Sequence, residues 1–402
     1  MKILVVNCGS SSIKYRVFEA DDGLKPIAWG VIERIGEEVS YFRYRSIKGE
    51  LSYSAVIRDH EQGFEKILEV LMDEDKGVIR SVDEIRGVGH RVVHGGEEIW
   101  EPTIIDERVE EVIEKYSALA PLHNPSNLKG IRISRKFFPK AVHIAVFDTA
   151  FHRTLPEEAY LYPIPYEYYE KYRIRRYGFH GISHRYVAYM ASRIIGEPLE
   201  DLRMITCHLG AGASITAIKG GKSVETSMGL TPLEGLMMAT RSGDIDPSII
   251  YFLMMWEKLS IDEVYDILNN RSGLLGVSGV GKDLREIRRA SEEGNRRASL
   301  AIKMFVHRVK KYIGAYAAIM GGLDALVFTA GIGERAPWIR SMILKGLEFL
   351  GILIDEERNE HPEKYGWMIS SDESRVRVLV IPTNEELAIA EEVLKRVAQH
   401  HL

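Results

Sequence analysis

The sequence predicts two α/β domains, each a sheet covered by helices, and three observations carry that expectation. The chain has 402 residues, about twice a usual domain length. Short β-type runs alternate with longer segments of helical periodicity. A strand, small-residue turn and strand occur twice, and the same interval of 201 residues separates Asn7 from His208 and Gly9 from Gly210. The matched hairpin spacing on both sides of those glycines points to an internal duplication.

KILVV at the start is too short an apolar run for a secretory segment and reads as a first strand. The turn NCGSSS, the alternating strand IKYRVF, the loop EADDGLK and the strand PIAWGVI follow. GFEKILEVLMDED, DERVEEVIEKYSAL and NLKGIRISRKFF have helical periodicity, and AVHIAVFD reads as a buried strand. Residues 149–165, with three prolines, form the expected boundary. Residues 203–228 repeat the opening grammar as RMITC, HLGAGAS, ITAIK, a Gly-Gly turn and KSVETSM. Helices are expected at IIYFLMMWEKL, IDEVYDILNN, Arg296 to Met320 and IRSMILKGLEFLG, and strands at ALVFT and RVRVLVIP. The last helix, EELAIAEEVLKRVA, is expected to pack back on the first domain. The expected domains are therefore 1–150 with 385–402, and 151–384.

The composition excludes several function classes. With 53 basic and 58 acidic residues and a net charge of −5, there is no electrostatic footprint for nonspecific nucleic-acid binding. No apolar run approaches the ~18–20 residues of a spanning helix, so no membrane partner is expected. A cytoplasmic protein is expected, with Cys8 and Cys207 as separate buried thiols.

GVSGVGKD at 276–283 almost spells a Walker phosphate loop. It fails because Asp283 replaces the magnesium-binding hydroxyl and because the loop follows a helix. No GxGxxG occurs, and His90/His94 and His180/His184 have i,i+4 spacing without the Glu of a zinc hydrolase. Three small-residue turns after strands remain. NCGSSSIK offers Ser10, Ser12 and Lys14, HLGAGAS offers a second turn, and FTAGIGE opens onto a helix expected to begin near Pro337. Such turns let backbone N–H groups approach phosphate oxygens, and together they point to a nucleotide held between two domains. HRVVHGGE, YGFHGISH and ATRSGDIDP each set Arg or His beside Gly. In TNEE, Thr383 or Asn384 is placed to cap the last helix.

Taken together, NCGSSSIKY, GHRVVHGG, PLHNP, VFDTAFH, YGFHGISH, HLGAGAS, SMGLTPLEGLMMATRSGDIDP, FTAGIGE and PTNEELAIA resemble the acetokinase family over nearly the whole chain. The resemblance implies an actin-like, sugar-kinase-like phosphotransferase with two duplicated ribonuclease-H-like domains and a cleft between them. It implies magnesium-dependent, reversible phosphoryl transfer between ATP and a short carboxylate such as acetate, giving an acyl phosphate and ADP, with manganese as a substitute metal. A homodimer is also implied.

By the same resemblance, Arg91, Asp148, His180 and Arg241 are the catalytic set, and Asn7 and Glu385 accompany Asp148 in organising the metal. His208, Gly210 and Gly212 border the phosphates, Gly331 and Ile332 the adenosine, and Asp283 and Arg285 the base or ribose. Val93, Leu122, Phe179 and Pro232 match the small apolar pocket for the acyl group. Val93 leaves less room than alanine, so acetate is favoured over propionate. Departures from the family pattern are Ala211 and Arg335, each where Asn is usual, Leu284 for an aromatic residue, Ala239 for Gly and Ile182 for Thr. They leave the phosphoryl donor open. The rival readings are a propionate or butyrate kinase and, in another class, an actin-like ATPase scaffold.

Overall fold

The computed structural model describes residues 1–121 and 123–400, the side chain of His400 excepted. The chain divides into two compact units, Met1–Ala150 with the segment from Asn384 on, and Phe151–Thr383.

The first unit is built on strands β1 (Lys2–Cys8), β2 (Ser12–Glu19), β3 (Lys25–Glu33), β4 (Ser40–Ser46), β5 (Gly49–Ala55), β6 (Ile85–Val92), β7 (Thr103–Ile104) and β8 (Val142–Phe147). They form one sheet in the order β5-β4-β3-β2-β1-β6-β8-β7. β1 to β5 are antiparallel neighbours, while β1, β6 and β8 run parallel. Leu4, Val6, Ile13 and Val17 pack with Phe64 and Ile67 of helix His60–Leu71, which Asp59 caps by accepting from the Gln62 N–H.

Helix Glu385–His400 packs on β6 and β1, and β6 makes room for it with glycine. A methyl carbon at Gly89 would lie 2.5 Å from Ile389 Cγ2 and 2.8 Å from Val393 Cγ2, and one at Gly87 would lie 2.6 Å from Val393 Cγ1. Gly89→Ala is expected to cost about 1–3 kcal/mol as the helix is pushed off the sheet; a thermal melt unchanged from wild type would refute that.

The second unit carries β9 (Arg203–Leu209), β10 (Ala213–Lys219), β11 (Lys222–Thr226), β12 (Ala325–Thr329) and β13 (Arg377–Val380), in the order β11-β10-β9-β12-β13. β9 pairs antiparallel with β10 and parallel with β12. The run β11-β10-β9-β12 thus repeats β3-β2-β1-β6, and Asn7 and His208 are each the last residue but one of their strands. This is a mixed α/β fold of two sheets with an internal duplication.

The helices at Arg296–Met320, Ile261–Asn270 and Ser248–Trp256 fall where periodicity put them. HRVVHGG contains the end of β6, in keeping with its reading as a strand end or loop. Two features differ from the sequence reading. β4 and β5 were not anticipated. The helix after FTAGIGE does not wait for Pro337: a first turn, Ala330–Arg335, begins directly after β12 and a second helix runs Pro337–Leu344. The break at Ala336 (φ −120°, ψ 73°) follows from Pro337, which disfavours helical geometry in the residue before it. Among the described residues no helix is long and apolar enough to cross a membrane, and Cys8 and Cys207 are free and buried.

Candidate active site

In the first unit, the carboxyl ends of parallel strands β6 and β8 collect three of the charged residues, as open α/β sheets commonly do. Arg91 is the residue before last on β6, and Asp148 follows β8, its N–H donating to the Val92 carbonyl at 2.9 Å. Arg91 Nη2 donates to Asp148 Oδ2 at 3.0 Å, and Arg91 Nε stands 3.4 Å from Glu385 Oε2. Glu385 opens the last helix, which Asn384 caps through the Leu387 N–H.

Burial pulls the Arg91 guanidinium down, but the Asp148 and Glu385 charges outweigh it and hold the group above its ordinary value. Burial first, then Asp148 and Glu386, raise the Glu385 carboxyl to about 7, against the pull of Arg91 and Lys14. Two carboxylates thus crowd one guanidinium, an excess of negative charge that suits a hard cation.

Asn7 and Lys14 face each other across the β1–β2 pair. Lys14 and Ser10 are exposed and Ser12 is half-buried, while the Gly9 N–H closes the turn on the Ser12 carbonyl at 2.8 Å. Val93 is buried just beyond β6. Leu122 lies outside the described residues.

Two asparagines not singled out from the sequence lock these turns. Asn127 donates to the Cys8 carbonyl at 2.8 Å and accepts from the Val93 N–H at 3.2 Å, tying the end of β1 to the end of β6. Asn124 accepts from the His94 N–H and donates to the His94 carbonyl. PLHNP contains Asn124, but its part in positioning other residues leaves no mark on the sequence.

In the second unit, the β9–β10 turn is the centre. Its Gly210 N–H donates to the Gly212 carbonyl at 3.1 Å, and the Ala211 carbonyl accepts from the Ala239 N–H at 3.0 Å, which secures the loop carrying Arg241. A methyl carbon at Gly212 would stand 3.5 Å from Arg241 Nη1 and 3.5 Å from the His180 ring. Backbone, imidazole and guanidinium therefore lie around one spot, at ordinary contact distance from a Cβ placed there.

His180 precedes helix Gly181–Ile195 in left-handed geometry (φ 54°), a conformation of real cost for a residue with a Cβ. Its ring stacks on His208 at 4.1 Å between centroids, and its Nδ1 lies 2.9 Å from Ser214 Oγ. Arg241 Nη1 donates to the Pro232 carbonyl at 3.1 Å. Among the described residues no carboxylate pairs with Arg241, and burial lowers its guanidinium from the ordinary value. The loop is braced from behind by Asp244, which accepts from the Gly235 N–H at 2.8 Å and from the Tyr312 hydroxyl at 2.7 Å. Phe179 is buried, and its carbonyl lies 2.9 Å from His152 Nε2.

Gly331 and Ile332 follow Ala330, whose Cβ lies 3.7 Å from where a Gly210 Cβ would be. Ala330 is itself left-handed (φ 64°). Glu334 Oε1 holds that turn by accepting from the N–H groups of Ala330 (2.9 Å) and Thr383 (3.0 Å). Arg340, buried, donates to the carbonyls of Gly333 and Glu334. Neither Glu334 nor Arg340 stood out in the sequence. Asp283 and Arg285 are not drawn into this group: Asp283 caps helix Leu284–Glu292 and is paired with Arg285, whose side chain is 91% exposed. The loop before them follows helix Gly273–Ser278, as expected for a sequence that is not a Walker loop.

The acetokinase family profile matches residues 2–391. The chain belongs to the acetokinase family. Acetokinase relatives include the acetate kinases of Caldanaerobacter subterraneus subsp. tengcongensis, 53% identical over 99% of both chains, and Halothermothrix orenii, 54% identical over 99% of this chain and 100% of that one. Among solved structures, Porphyromonas gingivalis acetate kinase superposes with a TM-score of 0.92 at 46% identity, covering 98% of this chain and 99% of that one. A propionate kinase from Francisella tularensis superposes with a TM-score of 0.91 at 41% identity, with the same coverage. As a member of the acetokinase family the protein is an enzyme, a phosphotransferase of mixed α/β fold.

Proposed function

We propose that the protein transfers the γ-phosphoryl group of ATP to acetate, reversibly and in line, giving acetyl phosphate and ADP. The observation that carries the reading is Arg241, a half-buried guanidinium with no carboxylate partner among the described residues, set beside Gly212 and His180. A cation held without an anion is prepared for an anionic ligand.

A carboxylic acid of pKa ~4 is ionised at neutral pH, so the nucleophile needs no general base. The difficulty is repulsion between two anions, which positioned guanidinium and imidazole donors offset as charge spreads over the phosphoryl oxygens. Arg241 and His180 take the phosphoryl group in this reading and Arg91 the substrate carboxylate. His208, Gly210 and Gly212 border the phosphates, with Ser10, Ser12 and Lys14 as further donors. Gly331 and Ile332 take the adenosine, and the half-buried Asp283 with the exposed Arg285 the ribose or base. Val93, Leu122, Phe179 and Pro232 are the residues this reading assigns to the acyl methyl.

The oxygen donors of Asp148, Glu385 and Asn7 suit magnesium, and the Glu385 carboxyl is raised first by burial and then by Asp148 and Glu386, a cost that a bound cation would relieve. Among the described residues no three His, Cys, Asp or Glu side chains form a metal cage, and magnesium usually takes one or two carboxylates together with water and phosphates. Bound there, it would neutralise phosphate charge.

The test is a hydroxylamine trap for acyl phosphate with protein, magnesium and ATP, run against acetate, propionate and butyrate. Hydroxamate formed fastest from acetate supports the reading. Higher kcat/KM for propionate or butyrate moves the assignment to the longer acid, and no hydroxamate from any of the three refutes phosphoryl transfer to a carboxylate. One methylene is worth only ~1–3 kcal/mol, so propionate is expected to react more slowly, not to be excluded.

We assign the protein to the cytoplasm, where adenine nucleotides are supplied and free thiols stay reduced. We also propose a homodimer. Helix Ser248–Trp256 is almost wholly apolar yet buries no residue, with Tyr251 68% and Trp256 72% exposed, a face that a second copy would cover. Sedimentation is expected to give a dimer that Trp256→Glu weakens; a monomer in the unaltered protein refutes it.

A further inference from the structure

A line of buried polar groups reaches His180 from β9, β10 and helix Gly181–Ile195. Thr206 Oγ1 lies 2.7 Å from His184 Nδ1, His184 Nε2 lies 2.7 Å from Ser214 Oγ, and Ser214 Oγ lies 2.9 Å from His180 Nδ1. Thr206, His184 and Ser214 have no exposed surface. Burial, with His152 and His208 packed at 5.9 and 6.1 Å, keeps His184 neutral.

A neutral imidazole carries one N–H and a hydroxyl one proton, so this line runs in one direction at a time. Thr206 fixes which. Among the described residues its hydroxyl has one hydrogen-bond partner, His184 Nδ1, and a buried hydroxyl that donates to nothing loses a hydrogen bond it had in water. The Thr206 hydroxyl therefore donates to His184 Nδ1, His184 Nε2–H donates to Ser214 Oγ, and the Ser214 hydroxyl donates to His180 Nδ1. The ring proton of His180 then sits on Nε2, the nitrogen that shares the Gly212 surface with Arg241 Nη1. In the reverse direction His180 would present a lone pair there, and a lone pair repels a phosphoryl oxygen.

We infer that Thr206, His184 and Ser214 are positioning residues that hold His180 as its Nε2–H tautomer, so that the imidazole meets the transferring group as a hydrogen-bond donor. The inference rests on the phosphoryl role of His180 proposed above. It adds that the role depends on a hydroxyl two residues before His208 on β9.

The experiment is a nitrogen-15 spectrum of the histidine rings in the full-length protein near neutral pH, with the His180→Gln spectrum identifying the His180 signals. The expected result is a His180 protonated on Nε2 and bare at Nδ1. Thr206→Val, which keeps the shape and removes the donor, is expected to mix the His180 tautomers. It should also lower kcat by about three- to tenfold, the worth of one such hydrogen bond, with the KM for acetate unchanged. Thr206→Ser should restore both. A His180 proton on Nδ1 overturns the inference, as does a Thr206→Val protein with unaltered ring spectrum and kcat. Should Thr206→Val not fold, the unaltered protein's spectrum decides alone. The ring spectrum does not depend on turnover, whereas a negative hydroxamate assay would count against phosphoryl transfer itself.

Discussion

Arg241→Ala is expected to lower kcat by about 10²–10³, the loss measured where one preorganised transition-state donor is removed. The reason lies in what Arg241 lacks. Among the described residues its side-chain hydrogen bonds go to the Pro232 carbonyl and, at 3.6 Å, the Met238 sulfur, neither of which repays the burial of a cation. Removing the side chain therefore relieves a desolvated charge, and the melting temperature should hold or rise while turnover collapses. A purely structural arginine would behave the opposite way. Arg241→Ala with near-normal kcat, or with lost activity only because the protein has unfolded, would refute the assigned role.

The second large effect is expected from Asp148→Asn, which preserves shape and removes one charge. Arg91 keeps Glu385 as its partner, so folding should survive. Burial remains but Asp148's contribution to the raised Glu385 carboxyl disappears, and that carboxyl should titrate below about 7. With one of the two proposed acidic oxygen donors lost, the magnesium concentration for half-maximal rate should rise at least about tenfold, equivalent to ~1.4 kcal/mol of binding, and kcat should fall by about 10² or more. Unchanged magnesium dependence would remove Asp148 from the metal's surroundings.

The duplicated hairpins were legible because glycine-rich turns and apolar strands leave marks in order along the chain. β4 and β5 were not, because SYFRYRS alternates buried with exposed positions and GELSYSA only half-buried with exposed ones, and their aromatic and polar residues resemble a loop when read singly. The site divides the same way. Arg91, Arg241 and His180 announce themselves beside glycines. Thr206 and Ser214 sit singly inside apolar strands, Asn127 on a helix, and Arg340 among many arginines; only the fold supplies the carbonyls and ring nitrogens that give them work. Ala330 was hidden for another reason: a left-handed alanine is not what FTAGIG suggests, and the Glu334 carboxylate that accepts its N–H is four residues away.

Helix Glu385–His400 belongs to the same unit as β1 and β6 although Phe151–Thr383 comes between them in the chain. A nascent polypeptide therefore offers the ribosome-proximal machinery a complete second unit before the first can close. Until the last helix emerges, Gly87 and Gly89 leave β6 bare of its cover, and chaperones have a defined stretch of sheet to guard. Translation order, set by where one helix sits in the gene, decides which half of this enzyme must wait.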